Sequence, residues 1–135
     1  MELHLKIIGA LLTGLSFVHI IFPKYFNWKE NLASLSLINR QMMQVHTFFI
    51  AFVVFLIGAL CLSSYDLLPS SELGKRVSLG LATFWGVRFV FQLFIYSSKL
   101  WKGKVFETIV HILFTLFWLY MTVVFGVIYL SLIHI

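Results

Sequence analysis

Four apolar runs, residues 3–22, 44–63, 77–96 and 105–130, occupy most of this chain. Each reaches or exceeds the roughly 20 residues that a helix needs to cross the hydrocarbon core of a bilayer. Composition agrees: 61% of the residues are hydrophobic and 11% are charged, against about 25% charged in an average soluble domain. The pattern predicts an all-α integral membrane protein of the cell membrane, in contact with the lipid bilayer on most sides. A single domain over residues 1–135 is expected to form a four-helix transmembrane bundle, up-down-up-down.

The first run lacks a basic start and a small-residue cleavage site, so it reads as a retained helix and not a signal peptide. Pro23 ends it. Residues 23–40 form the longest loop, where Trp28, Leu32 and Leu35 recur at helical spacing behind Asn27, a candidate N-cap. A short amphipathic helix lying in the interface fits this loop, as does an irregular loop with interfacial aromatics. Pro69-Ser70-Ser71-Glu72 is a helix-start signal ahead of the third run. The fourth run continues apolar to Ile135, longer than a crossing requires.

Charge orders the loops. The first and third carry Lys24, Lys29, Arg40, Lys99, Lys102 and Lys104, and the opposite side carries Lys6, Lys75 and Arg76. Six basic residues against three place the first and third loops in the cytoplasm and both termini outside it. The +5 net charge is therefore a topology and headgroup signal, not one for nucleic acid. A single cysteine, Cys61, excludes an intramolecular disulfide, a CxxC redox pair and a CxxCH haem attachment.

Against this apolar background a few polar residues stand out. Arg88 cannot shed its charge, and at a bilayer centre it costs roughly 2.5–3.5 kcal/mol on insertion scales. It needs a partner or a wet cavity. With helix boundaries at Phe22, Gln44, Tyr96 and Val105, His19, His46, Gln92 and Glu107 fall roughly 3–6 Å inside the cytoplasmic boundary. His111 lies about 9 Å deep and Arg88 roughly 12 Å. Trp85, Arg88, Gln92 and Tyr96 share one stripe of the third run. Glu107, His111, Thr115, Trp118 and Thr122 share one stripe of the fourth. All four helices thus feed one polar layer. His4 and His134 lie at the opposite face, outside it.

Imidazole is the commonest metal ligand and an axial ligand of haem iron. Three histidines on three helices at one level make His19, His46 and His111 the candidate ligand set. Haem b needs two histidines on facing helices. His46 and His111 are the first-choice pair, His19 the substitute, with Arg88, or Arg40 and Lys24 at the boundary, available to the propionates, and Arg88, Gln92 and Glu107 supporting the ligands or contacting an anionic group. A mononuclear transition-metal site from His19, His46 and His111, with Glu107 as fourth ligand, is equally simple in coordination terms. A di-iron carboxylate site lacks its glutamates, and no His-Glu-x-x-His is present. Arg88 and Glu107 also offer a plain ion pair.

Four helices with intramembrane histidines are similar in outline to the small cytochrome b membrane anchors. The likeness is one of architecture and carries no residue across. The leading expectation is a haem- or metal-binding redox or electron-transfer protein, working with a quinone or a redox partner subunit. Two alternatives are a small proton-coupled transporter or proton relay, and a non-catalytic accessory or scaffold subunit. A homo-oligomer is compatible with each.

Overall fold

Ser71 starts the third long helix as the Pro69–Glu72 signal predicts: its Oγ accepts from the Gly74 amide at 2.9 Å. This satisfies one of the amides that a helix start leaves without an intrahelical acceptor. In the computed structural model, which describes residues 2–95 and 103–133, with side chains described through Leu130, the elements run in the following order. Helix α1 spans Glu2–Val18, α2 Phe22–Tyr25, α3 Trp28–Asn31, α4 Leu37–Ser63, α5 Glu72–Phe94 and α6 Val105–Ile133. Among the described residues there is no strand.

Among the described residues, three helices are long and apolar enough to cross a membrane: α4, α5, and α6 over Val105–Leu130. These point to a membrane localisation. The α1 helix, with 17 residues, covers about 25 Å at 1.5 Å per residue, short of a core roughly 30 Å thick. It stops at Val18, four residues before the boundary expected at Phe22. Pro23 sits in the one-turn helix α2 that follows, where its missing N–H costs nothing.

Of the two readings of the first loop, the structure lacks the single amphipathic helix: the loop holds two single turns, α2 and α3. Asn27 precedes α3 without a side-chain cap; its backbone is left-handed at φ 52°, a conformation that asparagine tolerates and that turns the chain between the two. The second span also begins early. Ser36 caps α4, accepting from Asn39 N–H at 3.4 Å, so Arg40, Gln41 and Gln44 lie inside the helix. All three are good helix formers, and polarity alone does not end a helix.

The chain divides into two compact units, Glu2–Tyr65 and Asp66–Ile135. In the first, α1 packs antiparallel on α4. Gly9 and Gly58 set the approach: a Cβ on Gly58 would stand 2.7 Å from Thr13 Oγ1, and one on Gly9 would stand 2.9 Å from Gly58 O. Thr13 turns its hydroxyl to its own helix, donating to Gly9 O at 2.8 Å. Phe17 meets Phe55 edge-on at 6.2 Å, and Lys6 Nζ lies 4.3 Å from the centre of the Tyr65 ring. In the second unit, α5 packs antiparallel on α6, with Lys75 Nζ over Tyr129 at one end and the polar contacts of Gln92 toward the other.

Candidate functional site

Helical periodicity brings Arg88 and Gln92 to neighbouring turns of α5, and antiparallel packing sets them opposite His111 and Trp118 of α6. Arg88 Nη1 donates to Gln92 Oε1 at 3.4 Å. Gln92 Nε2 lies 2.9 Å from His111 Nδ1. Gln92 is buried and Arg88 and His111 are partly buried. The orientation of the amide follows from Arg88, which has only donors to offer. The carbonyl oxygen must face the guanidinium, so the NH₂ group faces the imidazole. His111 therefore accepts at Nδ1, and in the neutral ring its proton sits on Nε2.

Aromatic rings complete this cluster. The Arg88 guanidinium lies 5.3 Å from the centre of the Trp118 ring, within the range where a cation is attracted to the ring face. Trp118 in turn stacks on Trp85 at 5.0 Å with 7° between the planes. Phe114 and Phe117 flank Trp118 at 5.4 Å each. Among the described residues, Arg88 thus meets Gln92 and Trp118, and not the Glu107 carboxylate that offered an ion pair. The two carbonyl-directed threonines of the α6 stripe bond their own helix: Thr115 donates to His111 O at 2.7 Å and Thr122 to Trp118 O at 2.8 Å.

The other two histidines belong to the first unit. His19 lies in the turn after α1, where its Nδ1 is 2.8 Å from Leu15 O. His46 lies in α4, with Nδ1 2.7 Å from Met42 O. A carbonyl only accepts, so each ring carries its proton on Nδ1 and directs an Nε2 lone pair outward in the neutral state. His19 is half-buried and His46 exposed. They do not share a face of their pair. The α4 face toward α1 runs through Gln44, Thr47, Phe48 and Ala51, which with His19, Pro23 and Trp28 line a groove of about 180 Å³. His46 falls about 100° around the helix from Thr47, at 3.6 residues per turn.

Among the described residues, no group of three or more His, Cys, Asp or Glu side chains is placed to hold a metal ion. Tyr96, Lys99, Trp101, Lys102 and His134 lie outside the described residues. Two features of the site escaped the sequence reading. One is the groove that joins His19 to Trp28, whose signal was the helical spacing of Trp28 near Pro23. The other is the division of the three histidines by tautomer, which depends on the Gln92 amide and has no sequence signature. No family model matches this chain, and no curated protein or solved structure is significantly similar to it.

Proposed function

We propose that the protein is an integral membrane protein that binds haem b or a single transition-metal ion in a redox or electron-transfer role, with His46 and His19, on different faces of their pair, each offering one ligand to a site that a partner subunit or a second copy completes. One observation carries the reading: both rings are held through Nδ1 by the backbone carbonyl four residues earlier, leaving Nε2 to coordinate. Metal-bound histidines are commonly oriented in this way by a hydrogen bond at the other nitrogen. His111, with Nδ1 taken up by Gln92, is the weakest ligand of the three, and it moves from the ligand set to the Arg88 hydrogen-bond network. His46 is exposed on this chain. A haem that it ligates lies against the chain's surface and calls for a further helix, from a redox partner subunit or a second copy, on its other face.

The topology that accompanies this reading has α1 as a fourth crossing in a four-helix bundle, with Lys24, Lys29 and Arg40 of the first loop on the cytoplasmic side and both termini outside. Its support is the distribution of basic residues and the apolar composition of α1.

The test is an absorption spectrum with elemental analysis of the purified protein. A Soret band or stoichiometric metal that is lost in His46→Ala or His19→Ala and kept in His111→Ala is the expected result. A colourless, metal-free protein that is still folded overturns the reading and favours an accessory subunit without chemistry of its own.

A further inference from the structure

A groove of about 180 Å³ opens on the first unit, between the turns that follow α1 and the first half of α4. Pro23 and Trp28 form one side, and Gln44, Thr47, Phe48 and Ala51 form the other. Its wall is almost entirely carbon. The polar groups beside it are engaged elsewhere: Thr47 donates its hydroxyl to Met43 O at 2.8 Å, and His19 Nδ1 lies 2.8 Å from Leu15 O. Water finds few partners on such a wall, and an apolar ligand suits it.

Size and direction narrow the ligand. One turn of an α-helix, about 10 Å across and 5.4 Å long, occupies roughly 400 Å³, more than twice the groove. A partner helix rests on the groove without entering it, whereas a hydrocarbon chain is thin enough to enter. The lining of α4 from Gln44 to Ala51 extends about 10 Å along the helix axis. Because α4 is long and apolar enough to cross a membrane, and spanning helices tilt by only about 20° on average, the groove runs nearly parallel to lipid chains.

Charge marks one end. Lys24 and Lys29 directly follow the lining residues Pro23 and Trp28, and Arg40 precedes Gln44 by one turn on the same face of α4. Both lysines are exposed and Arg40 is half-buried. Glu30 is the one acid among residues 23–40, so positive charge prevails there. Trp28 fits the same level, since indole rings favour the headgroup boundary. Three cations at one end of a carbon-walled slot match a molecule with an anionic head and an apolar tail.

We infer that this groove binds an anionic phospholipid, with one acyl chain along Thr47, Phe48 and Ala51 and the phosphate held by Lys24, Lys29 and Arg40. The inference goes beyond the cofactor reading and does not rest on it, because the lipid makes no use of His19 Nε2.

Native mass spectrometry of the delipidated protein in detergent tests this, with phosphatidylglycerol and phosphatidylcholine of identical acyl chains titrated separately. One phosphatidylglycerol is expected to bind, saturably and more tightly than phosphatidylcholine. A basic residue beside an anionic headgroup is worth about fivefold in affinity. Arg40→Gln, Lys24→Gln and Lys29→Gln should each weaken phosphatidylglycerol binding by about that factor and leave phosphatidylcholine unchanged. Ala51→Phe fills the groove and should abolish the tight adduct; Thr47→Met, a smaller filling, should weaken it. Equal affinity for the two lipids, or phosphatidylglycerol affinity untouched by the filling and charge variants, overturns the proposal. So does a dimer that takes up no lipid and that Ala51→Phe converts to a monomer, which assigns the groove to a second copy. The wild-type comparison of the two lipids decides the matter even if both filling variants fail to fold.

Discussion

Gln92 on α5 and His111 on α6 are joined by a 2.9 Å hydrogen bond between Nε2 of the amide and Nδ1 of the ring. Because Arg88 holds the amide oxygen, this bond does two things. It ties the helices together at one height, and it decides which imidazole nitrogen carries the proton.

Replacing Gln92 with methionine keeps the side-chain volume and removes both bonds. Breaking a buried, partly charge-assisted link of this kind costs about 1–3 kcal/mol, read as a lower midpoint of thermal unfolding in detergent. Imidazole ¹⁵N shifts provide the sharper check. Wild-type His111 is expected with its proton on Nε2, and His19 and His46 with theirs on Nδ1. A wild-type His111 protonated on Nδ1 would reverse the amide and remove the argument for treating the three rings differently.

Position 58 should tolerate nothing larger than hydrogen. A Cβ there meets Thr13 Oγ1 at 2.7 Å and Gly9 O at 3.0 Å, backbone and a short side chain that cannot step aside. Gly58→Ala is expected to destabilise by roughly 1–3 kcal/mol through overpacking. Gly80 has nothing within 4 Å of an added Cβ, so Gly80→Ala should be neutral or stabilise α5 by up to about 1 kcal/mol from helix propensity. Both variants are read in the same unfolding assay, and a Gly58→Ala protein no less stable than Gly80→Ala would show that α1 and α4 do not cross at Gly58.

The two serine caps differ in strength. Ser71 accepts from Gly74 N–H at 2.9 Å, while Ser36 accepts from Asn39 N–H at 3.4 Å. Ser71→Ala should therefore cost about 1 kcal/mol and Ser36→Ala less. Amide hydrogen exchange at Gly74 and Asn39 measures each locally, and a larger acceleration at Asn39 in Ser36→Ala than at Gly74 in Ser71→Ala would contradict the ranking.

Much of the helical architecture could be read from residues that act locally. The Ser71 cap follows from Pro69-Ser70-Ser71-Glu72, and the end of α5 and the start of α6 follow from where apolar runs meet the polar loop. The start of α4 was misplaced because Arg40, Gln41 and Gln44 look like a loop in composition, yet each propagates a helix well once Ser36 has started it. The stripes holding Trp85, Arg88 and Gln92 on one run, and His111 and Trp118 on another, were visible as periodicity. Periodicity fixes a face but not the partner across it. Arg88 was expected to seek an anion such as Glu107, and among its partners in the described residues are an amide and an indole face. That choice depends on side-chain reach and register to within one turn, which no single-sequence pattern carries. The role of Gly9 was equally hidden, since it becomes special only opposite Gly58.

Each helical unit joins long helices that follow one another along the chain: α1 with α4 across the two short turns, then α5 with α6 across one loop. This has a consequence for how the protein is made. By the time Tyr65 has left the ribosome, every residue of the Gly9–Gly58 crossing has been synthesised, and α1 and α4 can close on each other without waiting for anything downstream. Domains generally fold as units in the order of their synthesis, and short sequence separations keep loop closure inexpensive. Biogenesis can therefore proceed two helices at a time, with residues 64–71 as the natural point of division.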